Sequence, residues 1–83
     1  MKNYILKNVR INGYVDTATT AAGNVVKKVC FTTEDGHVNH ATTARNSSAG
    51  YDIVNAYKLN KRVTIEYHIT RNNNIIIDFV RGL

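Results

Sequence analysis

A chain of 83 residues has room for one domain with a modest core, and its 43% hydrophobic content excludes global disorder. The longest apolar runs, such as Ile75–Ile77, are far shorter than the roughly 20 residues that a membrane-spanning helix needs, so we expect no membrane partner. The single cysteine excludes an internal disulfide framework, and the first residues lack the pattern of a signal peptide, so we expect a cytoplasmic location.

A formal net charge of +5 favours an anionic partner, such as nucleic acid or an acidic protein surface. The same charge also lies within the magnitude of an ordinary soluble surface, roughly 2 to 8. The 11 lysines and arginines are dispersed along the chain, so only folding can gather them into a patch.

The first strand is predicted from Ile5 to Val15, where apolar residues recur at odd positions and are expected to face inward. Apolar residues of the opposite parity near its start predict a bulge near Lys7 and Asn8. Gly13 fits a tight bend at which a side chain would obstruct a crossing strand. The small and polar residues 17–24 predict a loop.

Two alternating runs on either side of Asp35-Gly36 predict a β-hairpin, because Asp-Gly suits the two central positions of a type I′ turn. In that register Thr33 lies opposite Val38, so Val29, Phe31 and Val38 share the core face. The opposite, mostly polar face then collects Lys28, Cys30, Thr32, Glu34, His37, Asn39, Ala41 and Thr43.

A short helix is predicted near residues 48–58. Residues 46–48 offer capping oxygens, and Asp52 lies where the first turn of a helix favours an acid. The expected buried face contains Ile53, Val54 and Tyr57.

The end of the chain predicts a second hairpin, formed by Val63–Ile69 and Ile75–Val80 across a polar turn at residues 71–74. Asparagine tolerates the left-handed backbone conformation, which explains a turn without glycine. We expect Ile75, Ile77 and Phe79 to face the core, and Ile76, Asp78 and Val80 to form a half-apolar second face.

The resulting order is strand, strand, strand, helix, strand, strand. It resembles the five-stranded Greek-key barrel called the OB-fold, in which a helix lies between the third and fourth strands. A small SH3-like barrel or an α+β sheet with one helix would show a similar pattern. We therefore expect a mainly β fold, a single OB-like barrel domain over residues 1–83.

The resemblance implies a ligand surface on the outside of strands two and three, bordered by the loops at 17–24 and 71–74. Basic side chains there would attract phosphates, while amides, hydroxyls and a tyrosine would position a nucleic-acid strand. The candidates for phosphate attraction are Arg10, Lys27, Lys28, Arg45 and Arg71, and those for positioning are Tyr14, Thr32, Asn39, Asn72 and Asn73. The expected face lacks the aromatic rings on which single-strand binders stack bases.

Enzyme, metal and cofactor chemistry is not expected, nor is a small-molecule substrate. His37 and His40 are three residues apart in a strand and would point to opposite faces, so they do not easily share a metal. The six carboxylates are scattered, and no nucleophile, base and orienting acid can be assembled from their spacing. Glu66 and Asp78 are expected to meet basic neighbours across the last hairpin.

Two functions from different classes remain. The first is a non-enzymatic domain that binds single-stranded DNA or RNA through a basic groove. The alternative is a protein-binding module, subunit, homo-oligomer or inhibitor that occupies a partner's surface. The candidate contacts for that alternative are Tyr51, Tyr57, Ile76 and Val80, which would equally suit a helix that covers the barrel.

Overall fold

A computed structural model describes residues 2–83 as a closed barrel of five strands with one helix. The elements are β1 (Asn3–Thr19), β2 (Val25–Thr32), β3 (Val38–Thr43), α1 (Ala49–Lys58), β4 (Val63–Ile69) and β5 (Ile75–Arg81). The order around the barrel is β1-β2-β3-β5-β4, with β3 and β5 parallel and the other pairs antiparallel. The predicted OB-like barrel is confirmed. No helix within residues 2–83 has the length and apolarity that a bilayer crossing requires.

The core fills the barrel and extends to the buried face of α1. Apolar side chains from every strand meet there, and burying each of the large ones contributes about 1.5–3 kcal/mol. The cluster contains Val9, Ile11, Val29, Phe31, Ala41, Ala49, Ile53, Ala56, Val63, Ile65 and Ile77.

The long strand β1 pairs with β4 through its first half and with β2 through its second half. A register shift between Leu6 and Val9 confirms the predicted bulge, and Asn8 takes a left-handed φ of 56° there. Residues before this bulge have the opposite parity, so Leu6 packs on the core while Ile5 is 63% exposed. The prediction that Ile5 faces inward is therefore wrong.

A second shift, between Ile11 and Gly13, reverses the parity again. Ile11 is buried as predicted, but Val15 is exposed and Tyr14 packs on the core, contrary to prediction. Crowding by a crossing strand does not require glycine at position 13, since a Cβ there would meet no atom within 4 Å. The strand also continues to Thr19, so the loop predicted from residue 17 begins three residues later.

The β2–β3 hairpin closes through a three-residue turn rather than the predicted two-residue turn. The amide of Thr33 donates to the His37 carbonyl at 2.8 Å, and the amide of Gly36 donates to the Thr33 carbonyl at 3.0 Å. Gly36 has a φ of +91°. A type I turn followed by a left-handed residue has this pattern, and it adds one residue to the loop.

The extra residue shifts the pairing by one position, so Phe31 lies opposite Asn39. A one-residue shift turns every side chain of a strand to the other face. Ala41 is therefore only 5% exposed, and Val38, predicted to be in the core, is 59% exposed. Contrary to prediction, Asn39, Ala41 and Thr43 point inward, while Val38, His40 and Thr42 point outward.

A bulge at Asp78 likewise turns the following side chains of β5 to the opposite face. The register with β4 shifts between Ile77 and Phe79. Ile77 is fully buried as predicted, but Phe79 is 49% exposed and Val80 packs on the core, so both of those predictions are wrong. The preceding turn agrees with prediction, because Asn73 takes a left-handed φ of 62°.

The helix α1 confirms the prediction to within one residue. The amide of Ala49 donates to the Ser47 hydroxyl at 3.2 Å, and Asp52 lies in the first turn. The helix is rotated relative to the expected face, because Tyr57 is exposed and Ala56 is buried. Small residues on the buried side let the helix approach the barrel closely.

The helix approaches the barrel closely at Gly50, where an added Cβ would lie 2.4 Å from the carbonyl oxygen of Val25. Gly50→Ala should destabilise the fold by about 1–3 kcal/mol through overpacking, although alanine favours an isolated helix by about 1 kcal/mol. Urea unfolding measures the change, with the exposed Asn55→Ala on the same helix as the control. Stabilisation by both substitutions would contradict the close packing.

Candidate nucleic-acid interface

A cleft opens between the first half of β3 and the turn that joins β4 to β5. The parallel pairing of β3 with β5 joins Thr42 and Thr43 to Ile76 and Ile77, so the two strands diverge toward the turn. The cleft has a volume of about 290 Å³ and is lined by Lys28, Asn39, His40, Ala41, Thr42, Asn73, Asn74 and Ile75. Three of the residues predicted from sequence, Lys28, Asn39 and Asn73, are therefore brought together.

The surface beside this cleft consists of the outward side chains of β2 and β3, here called the β2–β3 face. Its members are Lys28, Cys30, Thr32, Val38, His40 and Thr42. Cross-strand pairing aligns Gly13, Cys30 and His40 in one row. Because Gly13 has no side chain, the row contains a second hollow of about 210 Å³, which Lys28 and His40 also line.

His40 is the functional candidate that sequence reasoning missed. The predicted register placed it opposite Phe31 and thus toward the core, whereas it pairs with Cys30 and is exposed on the β2–β3 face. An imidazole ring can stack on a nucleobase, so the face has a ring after all. The available signal was the position of Gly36, which also suits the last residue of a three-residue turn.

Of the predicted contacts, Lys27 does not reach this surface, and Tyr14 reaches it only at the wall of the hollow beside Gly13. Lys27 is 6% exposed, its ammonium group is bound by Asp16, and it lies 5.2 Å from the centre of the Tyr14 ring. Tyr14 in turn packs edge-to-face against Tyr57 of α1, with the ring centres 5.6 Å apart. Strand alternation places Lys27 inside when Lys28 is outside. We therefore leave Lys27 out of the interface and keep Tyr14 at its border, where it lines the hollow.

Arg10 and Thr32 lie on the outer surface, but beside the end of α1 rather than at the cleft. Arg10 pairs across the strands with Thr32, and its guanidinium donates to the Asn60 side-chain oxygen at 2.8 Å. The hydroxyl of Thr32 accepts a hydrogen bond from the Asn12 amide at 2.7 Å. Both side chains are thus held in place at one end of the β2–β3 face.

The remaining predicted residues lie in two connections. Arg71 and Asn72 are exposed in the β4–β5 turn, next to Asn73 at the border of the cleft. Arg45 lies elsewhere, in the connection between β3 and α1, where it faces the outer side of β5. The cleft therefore gathers one group of the predicted residues, and Arg45 belongs to a different surface.

The charges at the cleft are of one sign. Within residues 2–83 the ion pairs join Lys27 to Asp16, His37 to Asp35 and His68 to Asp78, so Lys28 and Arg71 have no acidic partner there. None of the described residues that line the cleft or the hollow is acidic. Both cations are available to an external anion.

The histidines and acids form pairs rather than larger clusters. His68 and Asp78 are joined at 2.7 Å, so Asp78 meets a histidine across the last hairpin. His37 and His40 do not meet, because His37 pairs with Asp35 at the turn. Within residues 2–83 no three His, Cys, Asp or Glu side chains come together as metal ligands.

The Thr33 hydroxyl donates to the Asp35 carboxylate and, together with the nearby His37 ring, lowers the pKa of Asp35. A lowered pKa means that the stabilising contribution is present above the unfolded-state pKa, near 4, and is lost as the pH falls through the folded-state pKa. Thr33→Val should therefore raise the pKa of Asp35 toward its ordinary value. An NMR titration of the Asp35 carboxyl carbon measures this, and an unchanged pKa would contradict the assignment of Thr33 as the main cause.

Comparisons of this chain with protein-family models, curated proteins and solved structures give no match.

Proposed function

We propose that this chain is a non-enzymatic, cytoplasmic domain that binds single-stranded nucleic acid across the β2–β3 face and its adjoining cleft. The observation that carries the proposal is the cleft of about 290 Å³ in which Lys28, His40, Asn39 and Asn73 converge without an acidic neighbour. Phosphate attraction and base contacts require different side chains, and this cleft offers both within one concave surface.

Each group has a separate task in the proposed complex. The Lys28 ammonium group in the cleft, with Arg71 exposed in the adjoining β4–β5 turn, neutralises phosphates and releases counterions, which supplies affinity without regard to sequence. The His40 ring provides a stacking surface for one base. The amides of Asn39 and Asn73 can donate to and accept from base edges or phosphates. Two cations and one ring predict modest binding that weakens as the salt concentration rises.

A single strand suits this surface better than a duplex. The helix α1 packs against β1, β2 and β5, so it is not presented for insertion into a major groove. Strand faces of small barrels bind unpaired strands, with a site size of roughly 4–16 nucleotides per fold. Bases in a single strand can turn toward His40, which stacked base pairs cannot do.

Titration of a fluorescently labelled, single-stranded oligonucleotide of about 15 nucleotides, at about 50 and 200 mM salt, tests this function. We expect binding at the lower salt concentration. The slope of the logarithm of the binding constant against the logarithm of the salt concentration should be near −1.4, because each of two neutralised phosphates contributes about −0.7. A duplex of equal length should bind more weakly. An absence of single-strand binding at low salt would contradict the proposal.

A second candidate, a protein-binding module, is favoured by one observation on the opposite side of the barrel. Ile5 and Phe79 are both strongly exposed and lie on either side of Glu66 in one row across β1, β4 and β5. Exposed apolar side chains around a polar group are typical of protein contacts. If this candidate is right, Ile5→Glu should abolish binding of a stoichiometric protein partner, whereas Lys28→Glu should leave that binding intact.

A further inference from the structure

We infer that the molecule has a second nucleotide site, in a cleft between the β3–α1 connection and the outer side of β5, here called the β5 cleft. It has a volume of about 370 Å³ and is lined by Ala44, Arg45, Asn46, Ser47, His68, Ile76, Asp78 and Phe79. Pockets of roughly 300 Å³ and above accept small organic ligands, so the β5 cleft has room for one nucleotide. The inference rests on the proposed function and extends it to another surface.

Phe79 supplies the surface on which a base would stack. The bulge at Asp78 turns this ring outward, where it is 49% exposed although its strand pattern predicts a core position. The guanidinium carbon of Arg81 lies 5.3 Å from the ring centre. An exposed ring beside a guanidinium group is the combination on which unpaired bases stack.

The His68–Asp78 pair supplies hydrogen-bonding groups in the same cleft. One Asp78 carboxylate oxygen is hydrogen-bonded to His68 Nδ1 at 2.7 Å. His68 Nε2 and the second carboxylate oxygen are therefore left for a ligand. Both side chains are about one-fifth exposed, so the pair is held firmly but is still accessible. Acceptors of this kind suit the exocyclic amino groups of adenine, cytosine and guanine.

Arg45 supplies the charge for the phosphate. It is exposed at the border of the β5 cleft, and it has no ion-pair partner within residues 2–83. The single acid of the cleft, Asp78, is already paired with His68. The ligand class is therefore a nucleotide with an amino-bearing base.

The β2–β3 face and the β5 cleft are continuous on the barrel surface. Thr42 pairs with Lys28 on one side and with Ile76 on the other, and Ile76 pairs with His68. Lys28 and Ile76 are thus two strand spacings apart, about 10 Å. One oligonucleotide of moderate length can occupy both sites.

The first test uses Phe79→Leu, which keeps an apolar side chain but removes the ring, and Phe79→Tyr, which keeps the ring. Phe79→Leu should weaken binding of a mixed-sequence single strand about fivefold to a hundredfold, whereas Phe79→Tyr should bind like the wild-type chain. Urea unfolding of both variants checks that the fold is intact. Equal affinities of the wild type and Phe79→Leu for the strand would overturn the site in the β5 cleft, and the proposed site on the β2–β3 face would be unaffected.

The second test uses adenosine monophosphate alone, with the His68 and Phe79 ring resonances followed by NMR. Shifts at both rings that saturate with nucleotide, and that Arg45→Ala weakens, would support the β5 cleft even if no oligonucleotide bound to the β2–β3 face. Unperturbed rings, together with loss of a protein partner in Phe79→Leu, would overturn the nucleotide site in favour of a protein contact. Failure of the proposed function and failure of this inference are therefore distinguishable.

Discussion

Replacement of Ala41 by glutamate should unfold the domain, whereas the same replacement at Val38 on the same strand should change its stability by less than about 0.5 kcal/mol. Ala41 is 5% exposed within the core cluster, and Val38 is 59% exposed. An unpaired carboxylate at Ala41 would have to be buried or protonated at a cost of several kcal/mol, a large part of a typical total stability of about 5–15 kcal/mol.

This pair of substitutions tests the three-residue turn directly. With the two-residue turn, Val38 would lie with Phe31 in the core, and Val38→Glu would be the damaging change. Circular dichroism and urea unfolding of the two variants distinguish the registers. Cooperative unfolding of Ala41→Glu at wild-type stability would contradict the register that places His40 on the β2–β3 face.

The second large effect is expected at Lys28. Lys28→Glu should weaken binding of a single-stranded oligonucleotide by about tenfold or more at low salt and should reduce the salt slope by about 0.7, because one phosphate contact is lost. Lys28 lines both the cleft and the neighbouring hollow, so its reversal places a negative charge at the centre of the site.

Lys58→Glu is the matched control, since it changes the net charge by the same amount at the end of α1, away from the cleft. Anisotropy titrations of both variants at two salt concentrations separate a local contact from general attraction. Equal losses of affinity in the two variants would show that the positive charge acts as a diffuse field, and the assigned interface would be wrong.

The element order was predictable because it depends on local signals. Alternation marked the strands, polar residues marked the turns, and capping residues marked α1. The facing of individual side chains was less predictable. The bulge at Asp78 and the additional turn residue before His37 arise from pairing with a neighbouring strand, and each reverses the parity of the strand residues after it.

In the candidate site, too, positions set by local signals were predictable and positions set by strand register were not. The structure brings Lys28 and Asn73 to the cleft, and their positions were predictable because Lys28 lies before the hairpin turn and Asn73 lies in a recognisable turn. His40 was missed because its side depended on turn length. Lys27 was predicted to contact phosphate from its charge alone, but alternation and Asp16 hold it in the interior. Charge in a sequence identifies candidate ligands, and strand register decides which of them reach the surface.

Cys30, the single cysteine of the chain, allows the interface to be located in one measurement, because it lies half-buried on the β2–β3 face between Gly13 and His40. Alkylation of Cys30 by iodoacetamide, followed by mass spectrometry, is compared with and without a saturating single-stranded oligonucleotide at low salt. We expect the bound strand to slow alkylation severalfold and high salt to restore the rate. An oligonucleotide that binds but leaves the alkylation rate unchanged would contradict binding at this face.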